Sequence, residues 1–285
     1  MDDLNPIVVD PRNGLNDLGA TEWVARTVSV LTQKGLGKGS EEAKFEKLHP
    51  APFSFQDVSR FIEFFTKADH IVLDPFAGVG STLKASALLG RRSLGFELNP
   101  NFCNLARERL EVEVGPMVLS SVRTEIYNGD ARELIPGMAD NSIHFVITSP
   151  PYWGILNKID HKANQERVAK GLTHNYGEDP KDLALIASYK EFVCELASLF
   201  HSLTPKVMDA RYMVVIVGDF RDKAKYHMFH ADLAQAIEAL GGFSLKGITI
   251  LYQKFKRVFP YGYPYAFVPN LHHQYALIFR KEKQS

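Results

Sequence analysis

Two consecutive prolines, Pro150 and Pro151, directly follow a run of β-branched and aromatic residues at 142–147. Such a run, free of glycine and proline, predicts a buried strand. Each proline holds φ at about −65° and lacks an N–H, so the strand must end here with its carbonyls outside any ladder. Because ligands bind at the carboxyl ends of strands in open α/β sheets, Ser149 and Tyr152 offer a hydrogen-bond acceptor and a stacking ring at one place. That combination suits a planar ring that carries an amino group.

A chain of 285 residues without an apolar run of membrane-spanning length predicts one large domain with an appendage. Its 33 basic and 33 acidic residues give zero net charge, so contact with a polyanion would need a local basic patch. Cys103 and Cys194 fall in helical patterns and predict neither a disulfide framework nor a metal site. His227 and His230 have helix-face spacing, but no Cys or acid cluster joins them, so we expect no metal. The acidic start lacks a signal-peptide core, and a reducing cytoplasm is the expected compartment.

A short apolar strand at 71–73 runs into a glycine-rich turn and then a helix. Gly78 and Gly80 allow a tight turn and close approach of a ligand, while the helix start offers free N–H groups. The dinucleotide fingerprint needs a small residue where Leu83 stands, which disfavours a nicotinamide enzyme. Asp74, just ahead of the turn, would repel a pyrophosphate and could pair with an amine.

Acidic side chains follow three successive predicted strands: Asp74, Glu97 and Asp130. An acid at the tip of the second strand accepts hydrogen bonds from ribose hydroxyls in such folds. A solvated acid at a strand end is the alternative, but the regular placement favours a ribose role for Glu97. The fourth strand brings Ser149 and Tyr152 to the same rim.

Alternating strand and helix patterns predict an α/β fold with a Rossmann-like, seven-stranded mixed sheet and helices on both faces. Residues 1–45 form an N-terminal arm with a helix at 21–32, and residues 46–285 form the main domain. After residue 182 the pattern predicts a helix at 183–203, a strand at 211–217, a helix at 229–240 and strands at 243–252 and 273–279.

Two connections are long enough to suggest function, 153–182 and 253–272. The first begins with Trp153 and is polar. The second places Lys254, Lys256 and Arg257 among aromatic residues, a pattern that can grip phosphates and bases. An aromatic loop packed on the sheet remains an equal alternative.

The chain resembles the amino-methyltransferases of DNA, which methylate exocyclic nitrogens with S-adenosyl-L-methionine. Residues 74–80 look like their cofactor motif, and 149–152 look like their catalytic motif. Residues 49–53 resemble the segment that covers the methionine moiety, so the resemblance extends over about 46–285. Ser149, where adenine-N6 enzymes typically carry Asp, resembles the cytosine-N4 branch.

The resemblance implies a class I methyltransferase fold and a role for each matching residue. In S-adenosyl-L-methionine, Glu97 would hold the ribose and Asp130 would accept a hydrogen bond from the adenine amino group. Asp74 would face the cationic end of the cofactor. Ser149 and the Pro150 carbonyl would accept from the target amino group, with the flipped base stacked on Tyr152. The implied cofactor set is His49, Pro50, Asp74, Phe76, Ala77, Gly78, Gly80, Ser81, Thr82, Glu97, Leu98, Asp130 and Ala131. The catalytic set is Ser149, Pro150, Pro151 and Tyr152, and the substrate set is Trp153, Lys254, Lys256 and Arg257.

The cofactor motif precedes the catalytic motif, which departs from the commonest cytosine-N4 order, and no sequence remains for a separate recognition domain. Site recognition would then fall to the two long connections and the N-terminal arm. Double-stranded DNA is the expected partner, and a restriction endonuclease or a second copy of the chain are further candidates. Adenine-N6 methylation, RNA methylation and a non-catalytic nucleic-acid-binding relative remain alternatives.

Overall fold

The computed structural model describes residues 8–33, 43–49, 54–154, 179–223 and 225–283. The strands are β1 Val30–Thr32, β2 Ile71–Asp74, β3 Arg92–Glu97, β4 Thr124–Asn128, β5 Ile143–Thr148, β6 Val207–Val217, β7 Phe220–Asp222, β8 Lys225–His227, β9 Phe243–Tyr252 and β10 His273–Lys281. The α-helices are α1 Ala20–Arg26, α2 Ala43–Leu48, α3 Phe55–Phe65, α4 Ser81–Leu88, α5 Pro100–Glu113, α6 Pro116–Ser121, α7 Ala131–Leu134, α8 Tyr189–Ser202 and α9 Phe229–Leu240. Within these ranges no helix has both the length and the hydropathy to cross a membrane.

The main sheet has eight strands in the order β1-β9-β10-β6-β5-β2-β3-β4. Strands β4, β3, β2, β5 and β6 are parallel, and β10 runs antiparallel to both β6 and β9. The expected α/β class, with a mixed sheet, is confirmed. The strand count of seven is wrong by one.

The additional strand comes from the N-terminal arm. Val30, Leu31 and Thr32 pair in parallel with Ile250–Tyr252 of β9. The helix predicted at 21–32 therefore ends at Arg26. Pairing of a β-branched segment with an exposed sheet edge overrides a helical pattern that has few apolar positions to bury.

The chain reverses its direction across the sheet between β2 and β5. Strands β2, β3 and β4 succeed one another toward one edge, whereas β5 and β6 lie on the other side of β2. Parallel register aligns the ends of these strands, so Asp74, Glu97 and Thr148 close their strands at the same edge. Such a reversal leaves a crevice beyond the carboxyl ends, where α/β folds bind ligands.

Helices cover both faces of the sheet. In β6, Met213, Val215 and Val217 join the core formed with α8 and α9, while Val214 and Ile216 join the core under α3. This alternation follows from the two-residue period of a strand. The N-terminus of α3 is capped as the sequence predicts, since Ser54 Oγ accepts from Gln56 N at 3.2 Å.

A two-stranded hairpin, β7–β8, follows β6 and was not predicted. Its strands are three residues long, too short for a periodic pattern. Lys223, in the turn, has φ of +52°. Because Gly and Asn adopt positive φ far more often than Lys does, the sequence gives no sign of this turn.

A buried charge cluster joins α4 to α5. The Glu113 carboxylate accepts from Arg109 Nε at 2.7 Å and lies 2.9 Å from Lys84 Nζ. The side chains of Lys84 and Arg109 are almost wholly buried. Arg109 also donates to the Val79 carbonyl and to Ser81 Oγ, so the cluster holds α5 against the start of α4.

Replacing Glu113 with Gln should lower the free energy of unfolding by about 3 kcal/mol, because it removes the negative charge that contacts both buried cations. Urea denaturation measures the change. The control is Glu111→Gln on the exposed side of the same helix, for which we expect a change within about 0.5 kcal/mol. Equal stability of the two variants would contradict a structural role for the cluster.

Candidate active site

A cavity of about 370 Å³ lies at the sheet edge where β2, β3, β4 and β5 end. Each strand contributes the residues that immediately follow it, and a segment from beyond the catalytic region closes one side. The lining comprises His49, Pro75, Phe76, Glu97–Asn101, Gly129–Ala131, Ser149, Pro151, Asp179 and Lys181–Leu183. The expected meeting of the four strand ends at one rim is therefore observed.

The glycine-rich turn has the close contacts that its sequence predicts. Gly78 has φ of +51°, and a Cβ there would lie 3.1 Å from His49 Nε2. Gly80 has φ of +79°, and a Cβ there would lie 3.1 Å from Ala106 Cβ. His49 thus lies over the turn and reaches the cavity. Its expected neighbour Pro50 lies outside the described residues.

Glu97 is fixed by two backbone groups at the end of β3. Its Oε2 accepts from Gly78 N at 2.8 Å and its Oε1 from Asn99 N at 2.8 Å. Burial raises the pKa of Glu97 to about 7, against the opposing effect of those two hydrogen bonds. Each carboxyl oxygen keeps one lone pair for a donor in the cavity. Leu98, beside it, also lines the cavity.

Asp130 caps α7 and is clamped by Arg132. Its carboxylate accepts from Arg132 N at 2.9 Å and from the guanidinium at 3.0 and 2.5 Å. Burial alone would raise the pKa of Asp130, but the Arg132 hydrogen bonds outweigh it and the pKa lies below its usual value. The carboxylate is therefore a fixed anion at the cavity wall, next to Ala131.

Asp74 does not occupy the expected position facing a cationic ligand group. Its side chain is fully buried and does not line the cavity. It accepts from Thr148 Oγ1 at 2.6 Å, Thr82 Oγ1 at 2.5 Å and Phe76 N at 3.0 Å. Burial raises its pKa to about 6 although these three donors favour the charged form. The placement corrects the expectation: Asp74 ties the strand ends together.

Three further residues of the expected cofactor set lie beneath the turn. Thr82 donates to Asp74, and Ser81 accepts from Arg109. Ala77 is buried and donates its N–H to the Phe96 carbonyl at 2.8 Å. Their side chains do not line the cavity, so we do not expect these side chains to contact a ligand bound there. Phe76 does line it, as expected.

The catalytic motif opens onto the cavity from the end of β5. Ser149 and Pro151 line the cavity, whereas Pro150 is buried. Tyr152 is half-buried, and its hydroxyl accepts from Gln274 Nε2 at 3.0 Å. Burial raises the pKa of Tyr152, with the hydrogen bonds from Gln274 and Gly218 acting in the opposite direction. At neutral pH the ring is a neutral, fixed surface.

Trp153 has a packing role. Its Nε1 donates to the Ile186 carbonyl at 2.7 Å, and its ring lies 5.4 Å from that of Tyr189 and 5.8 Å from that of His227. The proposed substrate contact at Trp153 is therefore at odds with its position. Residues 155–178, most of the first long connection, lie outside the described part of the chain.

The second long connection, 253–272, projects its aromatic side chains to solvent. Tyr265 is 94% exposed and Phe267 is 87% exposed. Lys254, Lys256 and Arg257 are exposed as well. Of the two alternatives for this loop, packing on the sheet is therefore excluded for these side chains.

Two acids of the cavity were missed by the sequence analysis. Asp179 and Asp182 lie at the end of the first long connection, far in sequence from the acids at the strand ends. Asp182 caps a short 3-10 turn by accepting from Ala184 N at 2.9 Å, and burial raises its pKa. Its position before a leucine-rich turn is the only signal the sequence carried. The lining holds four carboxyl groups and one lysine, Lys181, which pairs with Glu133 at 2.6 Å.

Histidines near the rim have protein partners. His230 Nδ1 contacts Asp219 Oδ1 at 2.7 Å, and its ring stacks on Tyr275 at 3.9 Å. His227 packs in the aromatic cluster around Trp153. Within the described residues no group of three or more His, Cys, Asp and Glu side chains has the arrangement of a metal site.

Titration of Glu97 should show a midpoint near 7, well above the ordinary glutamate value of 4.5. Carboxyl-selective carbon NMR, with Glu97→Gln to assign the resonance, measures it. Because the folded pKa is raised, its contribution to stability is full below pH 4.5 and is lost as the pH rises through 7. Wild type should thus lose stability relative to Glu97→Gln over that interval. A midpoint below 5 would contradict the burial of this carboxyl.

Comparison with known proteins supports the same family as the motifs. Residues 22–108 match a family model described as a DNA methylase, of the N6/N4 type. The chain is 48% identical over 98 residues to the type II methyltransferase M.HindIII of Haemophilus influenzae, covering 34% of this chain and 31% of that protein. It is 34% identical over 76 residues to the type II methyltransferase M.ScaI of Streptomyces caespitosus, covering 26% and 25%.

Those alignments span less than a third of the length of either relative. Among solved structures, a SAM-dependent O-methyltransferase from Thermotoga maritima aligns with a TM-score of 0.46 at 10% identity, covering 90% of this chain and 69% of that one. The family model includes the glycine-rich motif that follows β2 and ends before β5. The chain is therefore similar, over residues 22–108, to DNA methylases of the N6/N4 type.

Proposed function

We propose that this protein transfers a methyl group from S-adenosyl-L-methionine to an exocyclic amino nitrogen of a base in DNA, and that the base is cytosine and the nitrogen N4. The observation that carries the proposal is the opening of Ser149 and Pro151 into the same cavity that Glu97 and Asp130 line. A target amino group and a nucleoside cofactor would therefore meet there.

The charges of the cavity support a cofactor without phosphates. Among the described residues that line it, four carry carboxyl groups, Glu97, Asp130, Asp179 and Asp182, and one is a lysine, Lys181. Carboxylates repel a pyrophosphate, whereas they accept hydrogen bonds from ribose hydroxyls and attract cations. S-adenosyl-L-methionine carries a ribose, a sulfonium and an ammonium and has no phosphate, so the residues present fit it.

Different residues of the cavity wall would bind different parts of the cofactor. Glu97, held by Gly78 N and Asn99 N, would accept from the ribose hydroxyls. Asp130, fixed by Arg132, would accept from the adenine amine. Phe76 and the backbone of the glycine turn would contact the methionine side, with His49 above them. Asp182 would add an acceptor near Glu97, whose pKa it helps to raise.

When bound, the cofactor supplies an electrophilic methyl group. The lone pair of cytosine N4 is delocalised into the ring, so the protein must align the nitrogen and make it more basic. Ser149 Oγ and the Pro150 carbonyl would accept from the two N4 hydrogens and localise that lone pair, which is preorganised electrostatics. Tyr152 would stack on the base after it leaves the duplex. A serine is a poor base at neutral pH, so the proton leaves to water after transfer.

Ser149 supports cytosine over adenine as the target, because adenine-N6 enzymes of the resembling family typically carry Asp there. Adenine-N6 transfer is the nearest alternative, since the cavity and its acceptors would serve both. Methylation of RNA and a non-catalytic binding role are the others.

Incubating purified protein with duplex DNA and labelled cofactor should yield N4-methylcytosine on nucleoside mass spectrometry. Ser149→Ala should lower kcat about 100-fold by removing one preorganised acceptor. Ser142→Ala is the control, because Ser142 lies beyond the opposite end of β5 and bonds the Ala139 carbonyl. N6-methyladenine as product would overturn the choice of base. Cofactor binding without label in DNA would favour RNA as the substrate or a non-catalytic role.

The loop 253–272 would supply part of the DNA contact. It contains Lys254, Lys256 and Arg257 and no acidic residue, although the whole chain is neutral. Its exposed aromatic rings can stack on bases or pack in a groove, and its cations can contact phosphates. This loop is the local basic patch that a neutral chain needs for DNA binding.

Changing Lys254, Lys256 and Arg257 together to Gln should weaken DNA binding and flatten its salt dependence, since each lost phosphate contact lowers the log–log slope by about 0.9. Fluorescence anisotropy across salt concentrations measures the slope. The control removes three cations near the opposite sheet edge, at Lys67, Arg92 and Arg123. If both triple variants changed the slope equally, the loop would have no special part in DNA binding.

A further inference from the structure

Gln274, near the start of β10, connects the catalytic motif to two other glutamines. Its Nε2 donates to Tyr152 Oη at 3.0 Å. Its Oε1 faces Gln33 Nε2 and Gln253 Nε2, each at 3.4 Å. We call Gln33, Gln253 and Gln274, with the Tyr152 hydroxyl at its end, the glutamine row.

The sheet brings the row together from three neighbouring strands. Gln33 directly follows β1 and donates its N–H to the Tyr252 carbonyl at 2.8 Å. Gln253 directly follows β9, and Gln274 lies in β10, paired with Leu251. Because β9 and β10 are antiparallel, the end of one and the start of the other share an edge. Gln253 is also the first residue of the exposed loop 253–272.

Tyr152 has little freedom at its hydroxyl. A Cβ on Gly218 would lie 3.3 Å from Tyr152 Oη, so the backbone of Gly218 closes one side. Gln274 Nε2 holds another side, and the ring packs 6.4 Å from that of Phe229. The orientation of the ring therefore depends on the Gln274 amide.

The row is not fully satisfied in this arrangement. Its two 3.4 Å contacts exceed the usual range of about 2.7–3.2 Å. Gln253 Oε1 is buried and accepts no hydrogen bond from the described residues. If the amides rotated together, Gln274 would donate to Gln253 Oε1 and Tyr152 would donate to Gln274. The row thus has two self-consistent directions, which differ in whether the Tyr152 hydroxyl accepts or donates.

We propose that Gln274 is a positioning residue that couples the loop 253–272 to Tyr152, so that movement of the loop on binding DNA resets the ring on which the target base stacks. The coupling passes from Gln253 through Gln274 to the hydroxyl. The part played by DNA rests on the proposed function, whereas the coupling of Gln253 to Tyr152 does not.

The coupling is tested first without activity. Protein with 3-fluorotyrosine placed only at position 152 gives one fluorine resonance. Gln253→Met removes the amide at similar volume and should shift that resonance, although Gln253 is linked to Tyr152 only through Gln274. Gln274→Met should shift it further. Gln235→Met on the exposed side of α9 is the control and should leave it unchanged. An unchanged resonance in Gln253→Met, in folded protein, would overturn the coupling.

The role in binding is then measured by kinetics on unlabelled protein and by fluorine NMR on the labelled protein. Gln274→Met should raise KM for DNA about tenfold and leave KM for S-adenosyl-L-methionine unchanged, while a merely structural role would change both or neither. Adding duplex DNA should shift the fluorine resonance in both proteins, because the base stacks on the ring, but by a different amount in Gln274→Met, where the loop is uncoupled from Tyr152. If wild type binds no DNA while Gln253→Met still shifts the resonance, the proposed function fails and the coupling stands. An equal response of wild type and Gln274→Met to DNA would overturn the coupling.

Discussion

The buried carboxylate of Asp74 is the interaction on which the site depends. It holds the Thr148 hydroxyl at the end of β5, the Thr82 hydroxyl in α4 and the Phe76 N–H in the turn. Those groups lie within or beside the two motifs, which are far apart in the sequence. A carboxylate with three short donors fixes their relative position across the point where strand order reverses. Burial of this carboxyl raises its pKa to about 6, and the three hydrogen bonds oppose part of that rise.

Two carboxyl groups in the cavity wall have different pKa values because their surroundings differ. Glu97 meets only backbone N–H groups, and its pKa rises to about 7. Asp130 meets a guanidinium, and its pKa falls. One acid is therefore half-protonated near neutral pH and the other is a fixed anion. A ligand with hydroxyls at one end and an amine at the other would meet acceptors of distinct character.

Much of this arrangement follows from sequence patterns, and the exceptions have physical causes. Strand-end acids, the glycine turn and the two prolines are local signals, so the rim and its catalytic motif could be predicted. Asp74 was assigned to the ligand because a sequence does not reveal that Thr82 and Thr148 would take up its oxygens. Asp182 enters the cavity through tertiary packing, without a local pattern. Trp153 was read as a contact residue because an aromatic side chain beside a catalytic motif gives the same signal whether it faces a cluster or a ligand.

The short strand β1 has a consequence for the behaviour of the sheet outside its site. A sheet edge presents unpaired N–H and C=O groups that can template association with another chain. Three residues of the N-terminal arm occupy the edge of β9. That arm is anchored by α1, where Trp23 packs 4.8 Å from Phe64 and Arg26 pairs with Glu63. The arm therefore covers the last three residues of β9 and shortens the length of that strand that is open to pairing with another chain.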